Sequence, residues 1–173
     1  MRYHLAELNI GRPVGTVDGP ELADFVARLP EINALAERSP GFVWRLTADG
    51  TDDATALRLP GGAQPEPGSG GGEHPHRPPG GEDVMVNMSV WESVEALREY
   101  TYRTAHLEPL RRRREWFLPM QTNHLVLWWV PAGHRPTLEE ARARLDRLDR
   151  YGPGPEAFTL RQPYPAPAVA PSG

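Results

Sequence analysis

The chain has 173 residues, 39% of them hydrophobic and 24% charged, which is ordinary globular composition for one domain. Its net charge of -4 provides no general attraction to nucleic acid or to an anionic membrane, and neither is expected as a partner. It has no cysteine, which excludes disulfides, thiolate nucleophiles and Cys-ligated metal, and all 19 basic residues are arginine, which excludes Schiff-base lysine chemistry.

The arginine-only, Ala/Gly/Pro-rich usage points to a GC-rich bacterial genome. No apolar run approaches the roughly 20 residues that span a bilayer, and the first residues lead straight into a strand pattern. A cytoplasmic location is expected.

Tyr3 to Ile10 alternates, with Leu5, Glu7 and Asn9 on one side and Ala6, Leu8 and Ile10 on the other. That period predicts a first strand. Asp18 is placed to cap a following helix in which Leu22, Phe25, Val26, Leu29, Ile32 and Leu35 recur at helical spacing. Pro30 is expected to kink or divide that helix, because it lacks a backbone donor. Phe42 to Thr47 reads as a second strand. From Ala48 periodicity is lost, and residues 60–82 form a Gly/Pro-rich insertion too poor in apolar side chains to offset its ordering entropy. His74 and His76 lie in it, as a metal-chelating pair or as solvated linker residues.

A third strand, Val84 to Trp91, places Val84, Val86, Met88 and Val90 on one face and Met85, Asn87, Ser89 and Trp91 on the other. The second face suits a wall that tolerates polar groups. Ser93 caps the next helix, and Pro109 suits the first turn of another that carries Arg111 to Arg114. His124 to Val130 is a nearly continuous apolar strand, and Thr137 with Glu140 forms a capping box for a last helix. The domain is expected to end at 161, after a short edge strand, with 162–173 a disordered tail. This order is that of an α+β, ferredoxin-like antiparallel sheet with helices on one face. Its other face would be buried by a second copy, making a homodimer and a dimeric α/β barrel.

The segments YHLAELNIG, INALAERSPGFVWRL, VNMSVWESVEALREYTYRTAH, RRRREWF and VLWWVPAGHRPTLEEA resemble a bacterial family catalogued as a domain of unknown function in the dimeric α/β-barrel superfamily. The motif Trp91-Glu92-Ser93 before an aliphatic and aromatic helix is similar to antibiotic-biosynthesis and haem-degrading monooxygenases. The resemblance implies a small-molecule enzyme acting on an aromatic or polyketide-like metabolite, with no cofactor required. It equally admits a haem protein, with Asn9, Tyr100 and His106 in comparable places and His106 as axial ligand. Tyr100 stands where the haem-degrading group has tryptophan, and it lies closer to the histidine. A non-catalytic ligand-binding dimer is the third reading.

The residues themselves give the same candidates. His106 follows Tyr102 by four positions, on one helical face if the helix continues, and its imidazole would ligate iron, exchange protons or cap the helix junction. Glu7, desolvated among Leu5, Trp44 or Trp129, would have a raised pKa and shuttle protons. Asn9, Asn87, Ser89, Trp91 and Tyr100 would line the substrate pocket, or form a polar network at a dimer interface. At most two of the four arginines face one pocket, and Arg113 or Arg114 would grip an anion there while the rest are solvated.

Overall fold

The computed structural model describes residues 2–60, 81–103 and 107–168. Strand β1 (Tyr3–Pro13) leads into helix α1 (Ala23–Arg38), then strands β2 (Phe42–Arg45), β3 (Arg58–Pro60) and β4 (Gly81–Trp91). Helices α2 (Val94–Arg103) and α3 (Leu107–Trp116) follow, then a short β5 (Phe117–Leu118), β6 (Leu125–Pro131) and helix α4 (Leu138–Tyr151). β1 is central, antiparallel to β4 on one side and to β6 on the other. β2 and β3 both pair with the far side of β4, and β5 pairs with the end of β1. The antiparallel, ferredoxin-like α+β sheet is as expected.

Strand parity then divides the core. Ala6, Leu8 and Ile10 of β1, Val84 to Val90 of β4 at alternate positions, and Val126, Trp128 and Val130 of β6 share one hydrophobic cluster. Ala141, Leu145 and Leu148 of α4 complete it, a stripe at helical spacing laid across the sheet. Thr137 caps α4 by accepting the Glu140 N–H at 3.1 Å. The Glu140 carboxylate does not return to the cap: it accepts from Trp128 Nε1 at 2.8 Å and lies 2.7 Å from His134 Nε2.

Helices therefore cover both faces of the sheet, not one. The four apolar residues of β4 on the α4 side are at most 6% exposed within a single chain. Self-association argued from a bare sheet face loses that premise.

Three further local expectations change. α1 begins at Ala23 with Leu22 at its cap position and no side-chain cap, so Asp18 does not cap it; Leu22 instead anchors the entry by burial against Met85 and Trp116. Pro30 lies inside one continuous helix, which forgoes a single backbone bond and does not divide. Ala48 to Leu59, without periodicity, still folds: Ala54 and Leu59 are buried, and Arg45 holds the backbone carbonyl of Asp52 at 2.7 Å. The expected insertion 60–82 lies mainly outside the described residues, and so do His74 and His76.

At the other end, Phe158 exchanges two 2.9 Å backbone bonds with Leu127 at the outer edge of β6. Tyr164, in the stretch read as tail, packs on Phe158, and its carbonyl accepts from Trp129 Nε1 at 2.8 Å. Among the described residues no helix is long and apolar enough to cross a membrane.

Candidate functional site

A pocket of about 310 Å³ lies between the second face of the sheet and helices α1, α2 and α3. Its floor follows from register. Going along β1, Leu5 stands between Trp91 and Trp129, Glu7 between Ser89 and Leu127, and Asn9 between Asn87 and Leu125. Glu7, Ser89, Asn9 and Asn87 thus form a two-by-two polar block, with leucines on the β6 side. Above it, Phe25, Leu29, Ile32 and Ala36 of α1 line the pocket at helical spacing. Of these only Ala36 is buried; the others are half-buried and look onto the pocket, Phe25 while also packing against Trp116.

The pocket has a closed end and an open end. Glu7, Ser89, Trp91 and Tyr100 are buried, while Asn87 and His124 are exposed at the mouth. At the closed end the Ser89 hydroxyl donates to Glu7 Oε2 at 2.7 Å, and Trp91 Nε1 donates to Ser89 Oγ at 2.8 Å. A hydroxyl has one proton. Ser89 accepts from the indole and directs its own proton to Glu7, so Oε2 is an acceptor in this arrangement. With Oε2 accepting from Ser89, Oε1, which makes no hydrogen bond among the described residues, is the oxygen open to a proton from the pocket.

Burial pushes the Glu7 carboxyl up to about 7, against the opposing pull of the Ser89 bond. Trp44 is not part of the cause, since it packs in the cluster on the other face. Tyr100 stacks on Trp91 at 5.0 Å and 26°. Burial first, and then the charge of Glu7, raise its phenol pKa further, with Arg45 opposing. Tyr100 stays a phenol and a donor.

At the open end Arg113 donates from Nη2 to the Ile10 carbonyl at 2.8 Å and from Nη1 to Asn9 Oδ1 at 3.2 Å. Its guanidinium lies 5.3 Å over the Phe117 ring. Burial lowers its pKa. Phe117 is itself seated by Gly11, where a Cβ would come within 2.5 Å of the ring. Phe25 contacts both Phe117 and Trp116, tying α1 to α3 over the pocket.

The structure thus gathers most of the candidates. Glu7, Asn9, Asn87, Ser89, Trp91, Tyr100 and Arg113 all line the pocket, and Tyr102 lines its rim with 55% of its surface exposed. Arg114 is exposed and is not part of the lining; Arg112, beside it, pairs with Asp24 at 2.8 Å and Glu115 at 2.7 Å. His106, and with it the haem-ligand reading, lies outside the described residues. His124 and Arg45 were not anticipated. His124 stands at the mouth, its pKa lowered by partial burial and then by Arg113. Nothing in the sequence marks it beyond its place at the start of an apolar strand. No group of three or more metal-ligating side chains occurs among the described residues.

The fold and this pocket define a ferredoxin-like α+β domain with a partly polar small-molecule cavity between sheet and helices. The chain belongs to the family described as a domain of unknown function, DUF3291, whose model matches residues 4–172. It is also similar to the crystal structure of SnoaB, a cofactor-independent oxygenase from Streptomyces nogalater. That match has 16% identity and a TM-score of 0.40, and covers 76% of this chain and 95% of that one. No curated protein matches.

Proposed function

We propose that this chain is a small-molecule enzyme, monooxygenase-like, that binds an aromatic or polyketide-like metabolite in the pocket and first transfers a proton from it to Glu7. One observation carries the reading: a carboxyl buried on the pocket wall, with its pKa pushed up to about 7. Such a group both takes and returns protons near neutral pH. Ser89, itself held by Trp91, donates to its Oε2, which leaves Oε1 for the substrate. Phe25, Trp116 and Phe117 offer flat apolar surface, and the Asn9 and Asn87 amides suit substrate oxygens.

Deprotonation of an activated methylene leaves a carbanion, which dioxygen oxidises. The methylene then becomes a ketone and the second oxygen atom leaves as water, with all four electrons supplied by carbon. No separate reductant is needed for that balance. Membership of the dimeric α/β-barrel superfamily, and a homodimer, form part of this proposal; light scattering on the purified protein tests the second.

Oxygen uptake with a panel of polyphenols and cyclic 1,3-diketones tests the reaction. Activity of the wild type should have an acid limb near pH 7, and Glu7→Gln should lower the rate by about 100-fold or more. Turnover of Glu7→Gln at the wild-type rate would sink the proposal.

A further inference from the structure

The mouth of the pocket holds a cation without a counter-charge. Arg113 reaches it from α3 and is held by two neutral oxygens, the Ile10 carbonyl and Asn9 Oδ1. No carboxylate among the described residues pairs with it, and the nearby Asp24 and Glu115 are both taken by Arg112. Neutral acceptors position a guanidinium, but they do not offset its charge when it is partly desolvated. Its Nε–H and one N–H on each Nη remain, in the planar fork that matches a carboxylate.

His124 lies beside this fork for a reason set by the backbone. The Ile10 N–H donates to the His124 carbonyl at 2.8 Å, and the Ile10 carbonyl accepts from Arg113 at 2.8 Å. Arg113 and His124 are thus moored to the carbonyl and the N–H of one residue of β1, on the same edge of that strand. Asn9, which Arg113 also holds, is two positions from Glu7, about 7 Å along the strand. That distance is close to the length of one substituted aromatic ring.

We infer that Arg113, with Asn9 and His124 at its sides, is an anion subsite at the pocket mouth that selects metabolites with a carboxylate on an aromatic body. The carboxylate stays at the wetter end, and the opposite edge of the ring points inward toward Glu7. Only that last clause rests on the proposed proton transfer; the subsite itself is read by binding alone.

Calorimetric titration with 2-naphthoate and with its neutral isostere 2-naphthamide tests the inference. The wild type should bind the naphthoate at least about tenfold more tightly, the low end for a charge-assisted hydrogen bond because the site is partly open. Arg113→Met should bring the ratio to about one, and Arg113→Lys should keep part of it, since the charge remains without the fork. The ratio should shrink with added salt, a test that holds even if Arg113→Met fails to fold.

Equal binding of the two compounds, binding of neither, a ratio insensitive to salt or a ratio that survives Arg113→Met would each overturn the subsite. Glu7→Gln, which removes a negative charge from the same pocket, should not lower the ratio. Failure of the naphthoate preference with Glu7-dependent turnover would remove the subsite and keep the proton-transfer reading; the reverse would do the opposite.

Discussion

Ser89 and Glu7 face one another across the β1–β4 pair, joined by a 2.7 Å hydrogen bond from a serine hydroxyl that itself accepts from the Trp91 indole. The residue that tunes the carboxyl is thus a neighbour by strand register, and its tuning can be removed without touching the carboxyl itself.

The first prediction follows from the sign of that bond, which lowers the Glu7 pKa against the larger effect of burial. Ser89→Ala should move the midpoint above about 7, followed by a carbon-13 NMR titration of glutamate side chains. Trp91→Phe leaves the serine free to turn away, and should shift the midpoint the same way by less. A midpoint that falls in Ser89→Ala would contradict the geometry.

A second prediction concerns stability. The folded pKa of Glu7 is raised from 4.5 to about 7, so the fold favours the protonated form. Its contribution is fully present below pH 4.5 and is lost as pH rises through about 7. Glu7→Gln should therefore resemble the wild type near pH 4 and be more stable at pH 8.5, by at most about 3 kcal/mol. Thermal unfolding at the two pH values decides it, and equal melting at pH 8.5 would mean that the carboxyl is not desolvated.

Gly11 gives a third. A methyl group there would lie 2.5 Å from Phe117 Cδ1, and the ring under Arg113 would have to move. Gly11→Ala should cost about 1–3 kcal/mol in urea unfolding. It should also weaken naphthoate binding although Arg113 is unchanged. Unaltered binding and stability would show that the ring has room to spare.

The fourth tests the covered face. Leu148 is 2% exposed in the cluster that α4 forms with the sheet. Leu148→Ala should lower stability by about 2–5 kcal/mol. A loss under about 0.5 kcal/mol, the range of surface changes, would mean that α4 does not cover the sheet.

The floor of the site is legible in the sequence because strand parity is local: Glu7 and Asn9, Asn87 and Ser89 share a face whatever the rest of the chain does. The face that a helix covers is not local. The stripe Ala141, Leu145, Leu148 says that α4 packs on something, and only the folded chain says on what. Trp44 shows the limit of parity itself. A register shift between Phe42 and Trp44 in β2 places these two on opposite faces, Phe42 opposite Trp91 and Trp44 opposite Val90, so Trp44 is removed from Glu7. Ala48 to Leu59 carries no period because side-chain bonds hold it, among them Asp53 to the Thr55 N–H at 2.8 Å. His124 comes beside Arg113 because both bond to the backbone of Ile10, and neither bond has a sequence signature.

The bridge from Phe158 to Leu127 has a consequence for handling the protein. Open sheet edges recruit strands from other molecules, and this bridge occupies the middle of the outer edge of β6 with the chain's own backbone. On the opposite side, β2 and β3 are short, each has a register shift against β4, and β3 ends in a proline that has no N–H to donate. Concentrated solutions should accordingly resist edge-to-edge fibril growth, and deleting the chain from residue 153 onward should be what first turns this domain into a nucleus for it.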